Sequence, residues 1–457
     1  MAKTIPIFKK GSRLSVSNYR PISLLSNLNK ILEKIVHARV YAFLEDFQCI
    51  YSLQFGFRKK HSTNHALIDI TETIRQALDN KKMACGVFVD LQKAFDTVNH
   101  DILIAKLEHY GIRGTANQWF SSYLKNRTQY VSILGYDSST KTIPHGVPQG
   151  SVLGPLLFLI YINDLHSAIK NSKVFHFADG TNLLNISNSP KQMQKLVNAD
   201  LKILYSWLLA NKISLNCDKT EIIFFHKPGE KTPDLKIKMN GHRIYPSLSI
   251  KYLGMHLDET LNGAFHSKIL SKKLKRANGM LCKARHYVPM DDLRTLYFAI
   301  FSSHLIYASQ IWGQVTNTFN QKIFKLQNRA LRILSFSDFR ADSNPLYSNL
   351  NILKLRDQIV MQNCLFVHDS LNNESPACFS EYFKRARQIH TNNTRNADLG
   401  CLFPSHSGTI QYGLYSITNK CISNWNALCK LLKLDLSNLT RDQLKNKLFN
   451  HLIKGYN

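Results

Sequence analysis

The chain has 457 residues, 44% of them hydrophobic, and this composition is typical of a folded protein with two or three domains rather than of a disordered one. Lys and Arg outnumber Asp and Glu by 59 to 31, and the formal net charge of +28 indicates a polyanionic partner, with nucleic acid as the leading candidate. The longest apolar run, residues 152–162, is too short to span a bilayer, and nine cysteines without a Cys-x-x-Cys pair suit an intracellular reducing compartment, so we expect neither a membrane partner nor structural zinc.

The first predicted helix follows the basic opening of the chain. Its apolar positions recur at helical spacing and predict a buried stripe, formed by Leu28, Ile31, Leu32, Ile35 and Val36. The charged positions of the same helix predict its other face, with Lys30, Glu33 and Lys34.

Two predicted strands end or break at a carboxylate. A buried strand over residues 84–91 ends near Asp90, and Asp179 interrupts two short apolar strands. The pair Asp179-Gly180 predicts a two-residue hairpin turn. Because a desolvated carboxylate needs a cation to offset its cost, the two positions together predict one divalent-metal site. Each Asp could instead be a strand-end residue that backbone amides satisfy.

Between these carboxylates, residues 146–151 place two glycines and a proline before a strongly apolar helix. Small residues permit close backbone approach to a base pair, and amides at a helix start attract phosphate. The other predicted elements of this half are a helix beginning at Asn99, strands at 174–177 and 183–186, a helix beginning at Ser189-Pro190, and strands at 221–225 and 250–257.

Beyond residue 260 the pattern is mostly helical. One helix has a predicted buried stripe of Leu270, Leu274, Ala277, Leu281 and Ala284. Lys272 and Arg276 lie on a different face of it, and a second helix carries Lys322, Lys325, Arg329 and Arg332 at helical spacing. Such basic faces would suit the phosphates of a nucleic-acid duplex, although they could be ordinary solvated faces. The aromatic residues between 297 and 312 favour a core rather than a base-stacking surface.

Seven blocks of the sequence follow the order found in reverse transcriptases of non-LTR retrotransposons, the jockey-like and LINE-like elements, which the chain resembles. These blocks lie at residues 18–25, 54–58, 88–96, 145–151, 177–180, 219–221 and 252–254, and include Pro-Gln-Gly-Ser and Phe-Ala-Asp-Gly. The resemblance implies an α+β right-hand polymerase, with fingers, a palm on an antiparallel sheet and a thumb, followed by a mainly helical C-terminal region. We expect fingers and palm in 1–260, the thumb in 261–340, and a region of unassigned role in 341–457.

The resemblance implies an RNA-directed DNA polymerase that extends a primer 3′-hydroxyl with two Mg²⁺ or Mn²⁺ ions. Asp90 and Asp179 would hold the metals, with the backbone carbonyl of Leu91 as a further oxygen ligand. Lys219 resembles a lysine that protonates the departing pyrophosphate, although it could equally be a solvated lysine. The implied partners are an RNA template, a DNA primer or target, and deoxynucleoside triphosphates.

Three residues resemble the nucleotide-binding positions of the family. Arg58 would grip the triphosphate through its forked donors, or be an exposed arginine in a basic stretch. The ring of Phe95 would block a ribose 2′-hydroxyl and so favour deoxynucleotides, or be merely a core ring. Gln149 would contact the template and the incoming nucleotide. The predicted contacts to template and primer are Gly150, Tyr252, Leu253, Gly254, Lys272 and Arg276.

Gly180 stands where a polymerase of this family ordinarily has another carboxylate. Glycine should ease a tight turn with positive φ, but its presence leaves two metal ions with fewer anionic oxygens. We therefore expect an impaired polymerase. The alternatives are a catalytically dead nucleic-acid-binding remnant and a translated relic without a selected role.

Family members commonly carry an endonuclease ahead of the polymerase, whereas this chain starts a few residues before the first block. We expect no endonuclease domain in it, and the alternatives are a truncated gene model, a decayed element, or an endonuclease supplied in trans.

Overall fold

The computed structural model describes residues 1–314, 317–389, 399–404 and 416–456. Its strands are β1 (Ala2–Phe8), β2 (Tyr19–Leu24), β3 (Met83–Val89), β4 (Thr128–Ile133), β5 (Tyr136–Asp137), β6 (Lys141–Thr142), β7 (Lys173–Phe177), β8 (Gly180–Ser187), β9 (Glu221–Phe225), β10 (Ile237–Met239), β11 (His242–Ile244), β12 (Ser249–Tyr252) and β13 (Met255–Asp258).

The α-helices of the same residues are α1 (Asn27–Asp46), α2 (Thr63–Asp79), α3 (His100–His109), α4 (Gly114–Leu124), α5 (Leu153–Ile162), α6 (Leu165–Ala168), α7 (Pro190–Ala210), α8 (Ala264–Ala284), α9 (Met290–Leu296), α10 (Ser303–Ile306), α11 (Ser309–Trp312), α12 (Asn317–Leu334), α13 (Asn344–Asn349), α14 (Leu355–Leu371), α15 (Ala386–Ile389), α16 (Ile417–Leu432) and α17 (Arg441–Lys454). Strands and helices mix up to β13 and helices follow, so the predicted α+β fold class with a helical C-terminal region is confirmed.

The central sheet, which we call the palm sheet, is antiparallel and has the order β7-β8-β3-β9. Its register pairs Val89 with Thr181 and Phe177 with Gly180. The C-terminal end of β3 and the turn between β7 and β8 therefore lie at the same edge of the sheet.

Two hydrophobic cores cover the two faces of the palm sheet, because successive residues of a strand point to opposite faces. Ala84 and Phe88 of β3 belong to one core, which we call the α2 core, and this core continues through α2 and β12–β13 into the helices beyond residue 264. Cys85 and Val87 belong to the other, the α5 core, which contains α3, α5 and α7.

A second sheet, of order β2-β1-β4-β5 with β6 also on β4, lies in the N-terminal part of the chain. Strand β1 pairs antiparallel with β2 and parallel with β4. This arrangement brings the first predicted block, residues 18–25, close to residues 145–151, since the Ser23 amide donates to the Gln149 carbonyl at 2.7 Å.

Several local predictions are confirmed. The Asn99 side chain caps α3 by accepting from the Ile102 amide at 3.1 Å, and Ser189 caps α7 by accepting from the Gln192 amide at 3.3 Å. The predicted stripe of α8 is buried except for a half-buried Ala284. Tyr297, Phe301 and Trp312 lie in the α2 core, as the aromatic run predicts.

The prediction for α1 is wrong for most of the apolar stripe and for Glu33. Four stripe residues are exposed, with Leu28 at 81%, Ile31 at 56%, Leu32 at 47% and Ile35 at 51%, whereas Val36 is half buried against the α5 core. Glu33, on the predicted charged face, is fully buried and accepts hydrogen bonds from Asn29, Tyr123 and the Val152 amide. Polar partners from α4 and the start of α5 make this burial possible, and they are distant in sequence.

The predicted single strand at 250–257 is also wrong. It is a hairpin of β12 and β13, because Leu253 and Gly254 take positive φ values of 43° and 84° and reverse the chain.

The C-terminal helices α16 and α17 both pack on α14, and residues such as Trp425 and Leu444 complete the α2 core. The predicted boundaries at 260 and 340 stay predictions, since one core runs across both positions. The polar run at residues 392–396, whose Asn and Thr content predicts a loop, lies outside the described residues. Within the part of the chain that the structure describes, we find no helix of sufficient length and apolarity to cross a membrane.

Candidate active site

The structure brings the two predicted metal-binding carboxylates together at one edge of the palm sheet. Asp90 directly follows β3, and Asp179 lies in the turn between β7 and β8. Partial desolvation of its carboxyl raises the pKa of Asp179, although the residue is exposed, and the negative charge of Asp90 raises this pKa further, whereas the charges of Arg20 and Lys9 oppose the shift. We call Asp90 and the Ala178–Asp179 turn the catalytic edge, after the role that the sequence predicts for them.

The turn is shifted by one residue from its prediction. Its two residues are Ala178 and Asp179, since Phe177 and Gly180 already pair as strand residues. The positive φ of 57° belongs to Ala178, so the predicted conformational benefit of glycine at position 180 is wrong. A Cβ atom at Gly180 would meet the Phe177 carbonyl oxygen at 3.3 Å, a tight contact that leaves room for a side chain after a small shift.

The position of Gly180 matters for the metal site. Since Val89 pairs with Thr181, the same register continued by one residue sets Gly180 opposite Asp90. Directly opposed residues of antiparallel strands carry their side chains on the same face. A carboxylate at position 180 would therefore lie beside that of Asp90.

Asp90 has two side-chain partners. Its Oδ2 accepts from Asn216 Nδ2 at 3.2 Å and from Lys219 Nζ at 3.3 Å, and the Asn216 amide donates to the Asp90 carbonyl at 2.9 Å. The side chains of Asp90 and Lys219 are 48% and 57% exposed. Lys219 thus contacts the catalytic edge while its role on pyrophosphate stays a prediction, and Asn216 is a member of the edge that the sequence did not single out.

The donor set of this edge suits a hard divalent cation, because carboxylate and backbone carbonyl oxygens are the ligands such ions prefer. Leu91, whose backbone carbonyl is the predicted ligand, follows Asp90 and forms an isolated antiparallel β-bridge with Leu215. Among the described residues no cluster of three or more His, Cys, Asp or Glu side chains could hold a metal. The candidate site thus contains two carboxylates, Asp90 and Asp179, and a bound cation would neutralise their like charges.

The segment at residues 53–56 holds the catalytic turn in place. Gln54 is buried, and its Oε1 accepts from the Gly56 amide at 2.9 Å and from the Ala178 amide at 3.0 Å. The Phe55 amide donates to the His176 carbonyl at 2.8 Å. A Cβ atom on Gly56 would lie 2.3 Å from the Ala178 nitrogen, so glycine is required here. Sequence reasoning missed this support, although it singled out the block for Arg58.

Arg58 is occupied by the protein itself. Its Nε and a terminal nitrogen donate to the two carboxylate oxygens of Glu45 at 2.9 and 2.7 Å, and another nitrogen donates to the carbonyls of Tyr51 and Gln54. The side chain is 9% exposed. Its role on a triphosphate stays a prediction, but a phosphate would have to displace Glu45. Arg20 and Lys9 are the cations whose charge reaches Asp179.

Phe95 is half buried at the rim of the α5 core. Its ring stacks on Phe158 with centroids 4.7 Å apart and meets Phe57 edge-on at 6.2 Å. One side is therefore packed, as a core ring would be, while part of the side chain stays accessible, as a gate requires.

Gln149 and Gly150 lie between the first block and the Asp90 block. Gln149 Nε2 donates to Asp96 Oδ1 at 2.9 Å, and burial raises the pKa of Asp96. Gly150 has a φ of 114°, and a Cβ atom there would lie 2.6 Å from the Ser23 carbonyl oxygen. Close backbone packing inside the protein thus accounts for Gly150.

The predicted contacts to template and primer differ in accessibility. Tyr252 is 5% exposed and packs against Phe88, so its side chain faces the core rather than a ligand. Leu253 is half buried and its carbonyl accepts from the Tyr307 hydroxyl, while Gly254 is exposed.

Lys272 and Arg276 are exposed on α8. Lys272 lines a groove of about 670 Å³ between β13, α8 and α12, with Lys268, Lys275 and Lys322 among its other lining residues. Their positions suit the phosphates of a nucleic acid, which stays a prediction.

Known proteins are similar to this chain over most of its length. The chain is 30% identical over 376 residues to the probable RNA-directed DNA polymerase from transposon BS of Drosophila melanogaster, which covers 79% of this chain and 41% of that protein. It is 30% identical over 373 residues to the RNA-directed DNA polymerase from mobile element jockey of the same organism, covering 78% and 40%. The chain thus spans about two fifths of the length of these relatives.

Among solved structures, a telomerase from Candida albicans in complex with a TWJ fragment of telomeric RNA has 11% identity and a TM-score of 0.38, and covers 86% of this chain and 65% of that one. We draw no argument from a similarity at this level. The family model described as reverse transcriptase (RNA-dependent DNA polymerase) matches residues 7–257, more than half of the chain. The chain therefore belongs to the reverse transcriptase family, with relatives in the jockey-like elements that its sequence blocks resemble.

Proposed function

We propose that this chain is the polymerase region of a retrotransposon protein, which joins deoxynucleotides to a DNA primer along an RNA template. The single observation that carries this proposal is the approach of Asp90 and Asp179 at one edge of the palm sheet, in a chain of the reverse transcriptase family. A pair of carboxylates beside an open surface is what nucleotidyl transfer needs, since its transition state is stabilised mainly by charge and position.

Asp90, Asp179 and the Leu91 carbonyl would hold two Mg²⁺ or Mn²⁺ ions. When bound, these ions would neutralise the reacting phosphate and orient the primer hydroxyl. Lys219, which contacts Asp90 at 3.3 Å, would give a proton to the departing pyrophosphate. Arg20 and Lys9 would meet the triphosphate, because Arg58 is engaged with Glu45.

The accessible edge of Phe95 would exclude a ribose 2′-hydroxyl, and Gln149 would exchange its bond to Asp96 for one to a base. Leu253 and Gly254 would touch the primer, and the exposed cations of α8, including Lys272 and Arg276, would follow the phosphates of the duplex.

We further propose that Gly180 limits this chemistry. A side chain opposite Asp90 would give the metals one more anionic oxygen, and glycine supplies none. The second candidate function is a nucleic-acid-binding remnant without catalysis, which the same glycine and the net charge of +28 favour.

Primer extension on an RNA template separates these functions. We expect slow synthesis by the parent, synthesis about tenfold faster or more by Gly180→Asp, which corresponds to one regained ligand, and none by Asp179→Asn. Equal synthesis by the parent and Gly180→Asp would contradict the impairment. Absence of synthesis in both, together with salt-dependent binding to RNA in a filter assay, would favour the remnant.

A further inference from the structure

The C-terminal region, to which the sequence assigns no chemistry, is attached to the polymerase through a buried carboxylate. Glu72 of α2 is fully buried, and its oxygens accept from the Ser416 hydroxyl at 2.7 Å, the Ile417 amide at 2.8 Å and the Thr418 hydroxyl at 3.1 Å. These groups form the N-terminus of α16, so Glu72 satisfies helix-end donors that lie some 344 residues away in sequence.

One turn earlier, Asp69 makes a second link. It is 2% exposed, accepts from the Tyr382 hydroxyl at 2.9 Å and lies 3.4 Å from Lys173 Nζ. Tyr382 belongs to the C-terminal region, whereas Lys173 is the first residue of β7. We call Asp69 and Glu72, with their C-terminal partners, the latch.

The latch leads directly to the catalytic edge. Strand β7 begins at Lys173 and ends two residues before Asp179. The residues just ahead of α2 also contact both the C-terminal region and the Asp179 turn. Lys60 forms an ion pair with Glu374 at 3.1 Å, and Gln54 accepts a hydrogen bond from the Ala178 amide. The C-terminal region therefore packs against the elements that fix the turn carrying Asp179.

A latch built on charge is informative, since apolar packing alone could join these surfaces more cheaply. Burying a carboxylate has a large desolvation cost, which the buried guanidinium of Arg75, 3.4 Å from Glu72 on the same helix, and the donors of α16 offset together. The donors at the start of α16 contact both oxygens of Glu72, and this two-oxygen contact defines how the C-terminal region sits on α2.

We infer that the C-terminal region is a positioning element of the polymerase site, and that Glu72 is the positioning residue which, through α2 and β7, holds the Asp179 turn. This inference rests on the proposed function for its catalytic consequence, but its structural part can be measured without catalysis. Glu72 itself touches no substrate.

Amide hydrogen exchange of the whole chain tests the structural part. In Glu72→Ala we expect peptides from 417–432 and from the β7–β8 hairpin at 173–187 to exchange about tenfold faster, because a buried charge-assisted link is lost. Glu72→Gln keeps one acceptor oxygen and should restore most of the protection. Tyr382→Phe, which keeps the ring and removes the hydroxyl on Asp69, should loosen the hairpin by a smaller factor and remains measurable if Glu72→Ala does not fold.

Glu33 is a matched control. It is also fully buried and accepts from the Val152 amide at 2.6 Å, ahead of α5, so it meets helix-end donors in the α5 core. Glu33→Ala should speed exchange at 152–162 and leave the hairpin at 173–187 protected. Faster exchange of α16 in Glu72→Ala with an unchanged hairpin would overturn the inference, and so would equal loosening of the hairpin in Glu33→Ala.

The catalytic consequence is measured in the Gly180→Asp background. Glu72→Ala should lower kcat about fivefold and leave the Kd for template-primer unchanged, because a misplaced turn affects the reacting geometry rather than the duplex surface. If neither the unchanged chain nor Gly180→Asp extended a primer, only the proposed function would be contradicted. The exchange result would still decide whether the latch holds the turn.

Discussion

The catalytic edge and the latch are acidic sites near opposite ends of strand β7, and their negative charges are compensated in different ways. At the catalytic edge the Asp90 side chain is 48% exposed, and partial desolvation together with the charge of Asp90 raises the pKa of Asp179. At the latch Glu72 is fully buried and each of its oxygens has donors from the start of α16.

The difference separates ligand chemistry from architecture. Carboxylates that repel each other at an open edge keep a capacity for cations that the protein itself does not fill. A carboxylate whose oxygens are met by the hydroxyl and amide donors of another helix and by a buried arginine has no such capacity left, and its role is to fix that helix. The following predictions test whether this division holds.

Gly56→Ala should have the largest effect, because it strikes the support of the catalytic edge. Its Cβ would lie 2.3 Å from the Ala178 nitrogen and 2.9 Å from its Cα, and both are backbone atoms that cannot yield easily. We expect a loss of about 3 kcal/mol in the free energy of unfolding, measured by urea denaturation, and loss of primer extension.

Gly279→Ala is the matched control for this change. A Cβ atom there meets nothing within 4 Å, and the residue lies inside α8, so alanine should stabilise the chain by about 1 kcal/mol. A Gly56→Ala protein as stable as the parent would show that the turn is not held by this contact.

Arg58→Ala should have the second largest effect, and it tests whether Arg58 is a structural residue or a ligand-binding one. Because the Arg58 side chain is 9% exposed and that of Glu45 31%, we expect a loss of about 2 kcal/mol in unfolding free energy, reduced from a fully buried pair by solvent screening. Lys60→Ala, which breaks an ion pair exposed by 47% and 56%, should cost less than about 0.5 kcal/mol.

If Arg58 bound the triphosphate instead, Arg58→Ala would raise the KM for deoxynucleotides in the Gly180→Asp background and leave stability nearly unchanged. We expect that kinetic effect from Arg20→Ala. The same effect in Arg58→Ala would make Arg58 part of the catalytic edge, as its sequence block suggests.

The sequence predicts where the carboxylates of the catalytic edge lie relative to the strands, because the determinants of those positions are local. The bounds of β9, the caps of α3 and α7, and the carboxylates at the ends of β3 and β7 each follow from a few neighbouring residues. The one-residue shift of the turn, with Ala178 at positive φ, depends on the Gln54 and Gly56 contacts across the sheet, which no local pattern contains.

The latch lies at the other extreme. Glu72 and Ser416 are 344 positions apart, and their contact leaves no trace in hydrophobic periodicity. The prediction for α1 is wrong for the same reason. Tyr123 and the Val152 amide, which are distant in sequence, bind the buried Glu33, and most of the apolar stripe is left exposed. Tertiary partners thus override the local pattern wherever a charged group is buried.

Asp179→Asn should have a smaller effect, and it tests the unmet charge directly. The folded chain raises the pKa of Asp179, so it binds this proton more tightly than the unfolded chain does, and the ionised group costs stability as pH rises from the ordinary Asp range through the raised pKa. In EDTA we expect a higher Tm than that of the parent at pH 7. The difference should vanish below the unfolded value of about 3.9.

Asp137→Asn, an exposed position on β5, is the control and should leave Tm unchanged at both pH values. Added Mn²⁺ should raise the Tm of the parent and not that of Asp179→Asn, since the cation relieves the same repulsion. A parent that is more stable than Asp179→Asn at pH 7 in EDTA would mean that the catalytic edge is as well satisfied as the latch.

Replacing the exposed cations Lys272 and Arg276 with alanine should have the smallest effect, because no packing is lost. If these side chains neutralise phosphates, the double variant should bind an RNA–DNA duplex only a few-fold more weakly, and the slope of log K against log salt should fall by about 2 in filter binding. Lys445 and Lys447, exposed on α17 in the C-terminal region, are the matched pair, and their removal should leave that slope unchanged. An equal fall in both variants would assign binding to the overall charge of +28 rather than to α8, and the exposed charges of the thumb and of the C-terminal region would then be equivalent.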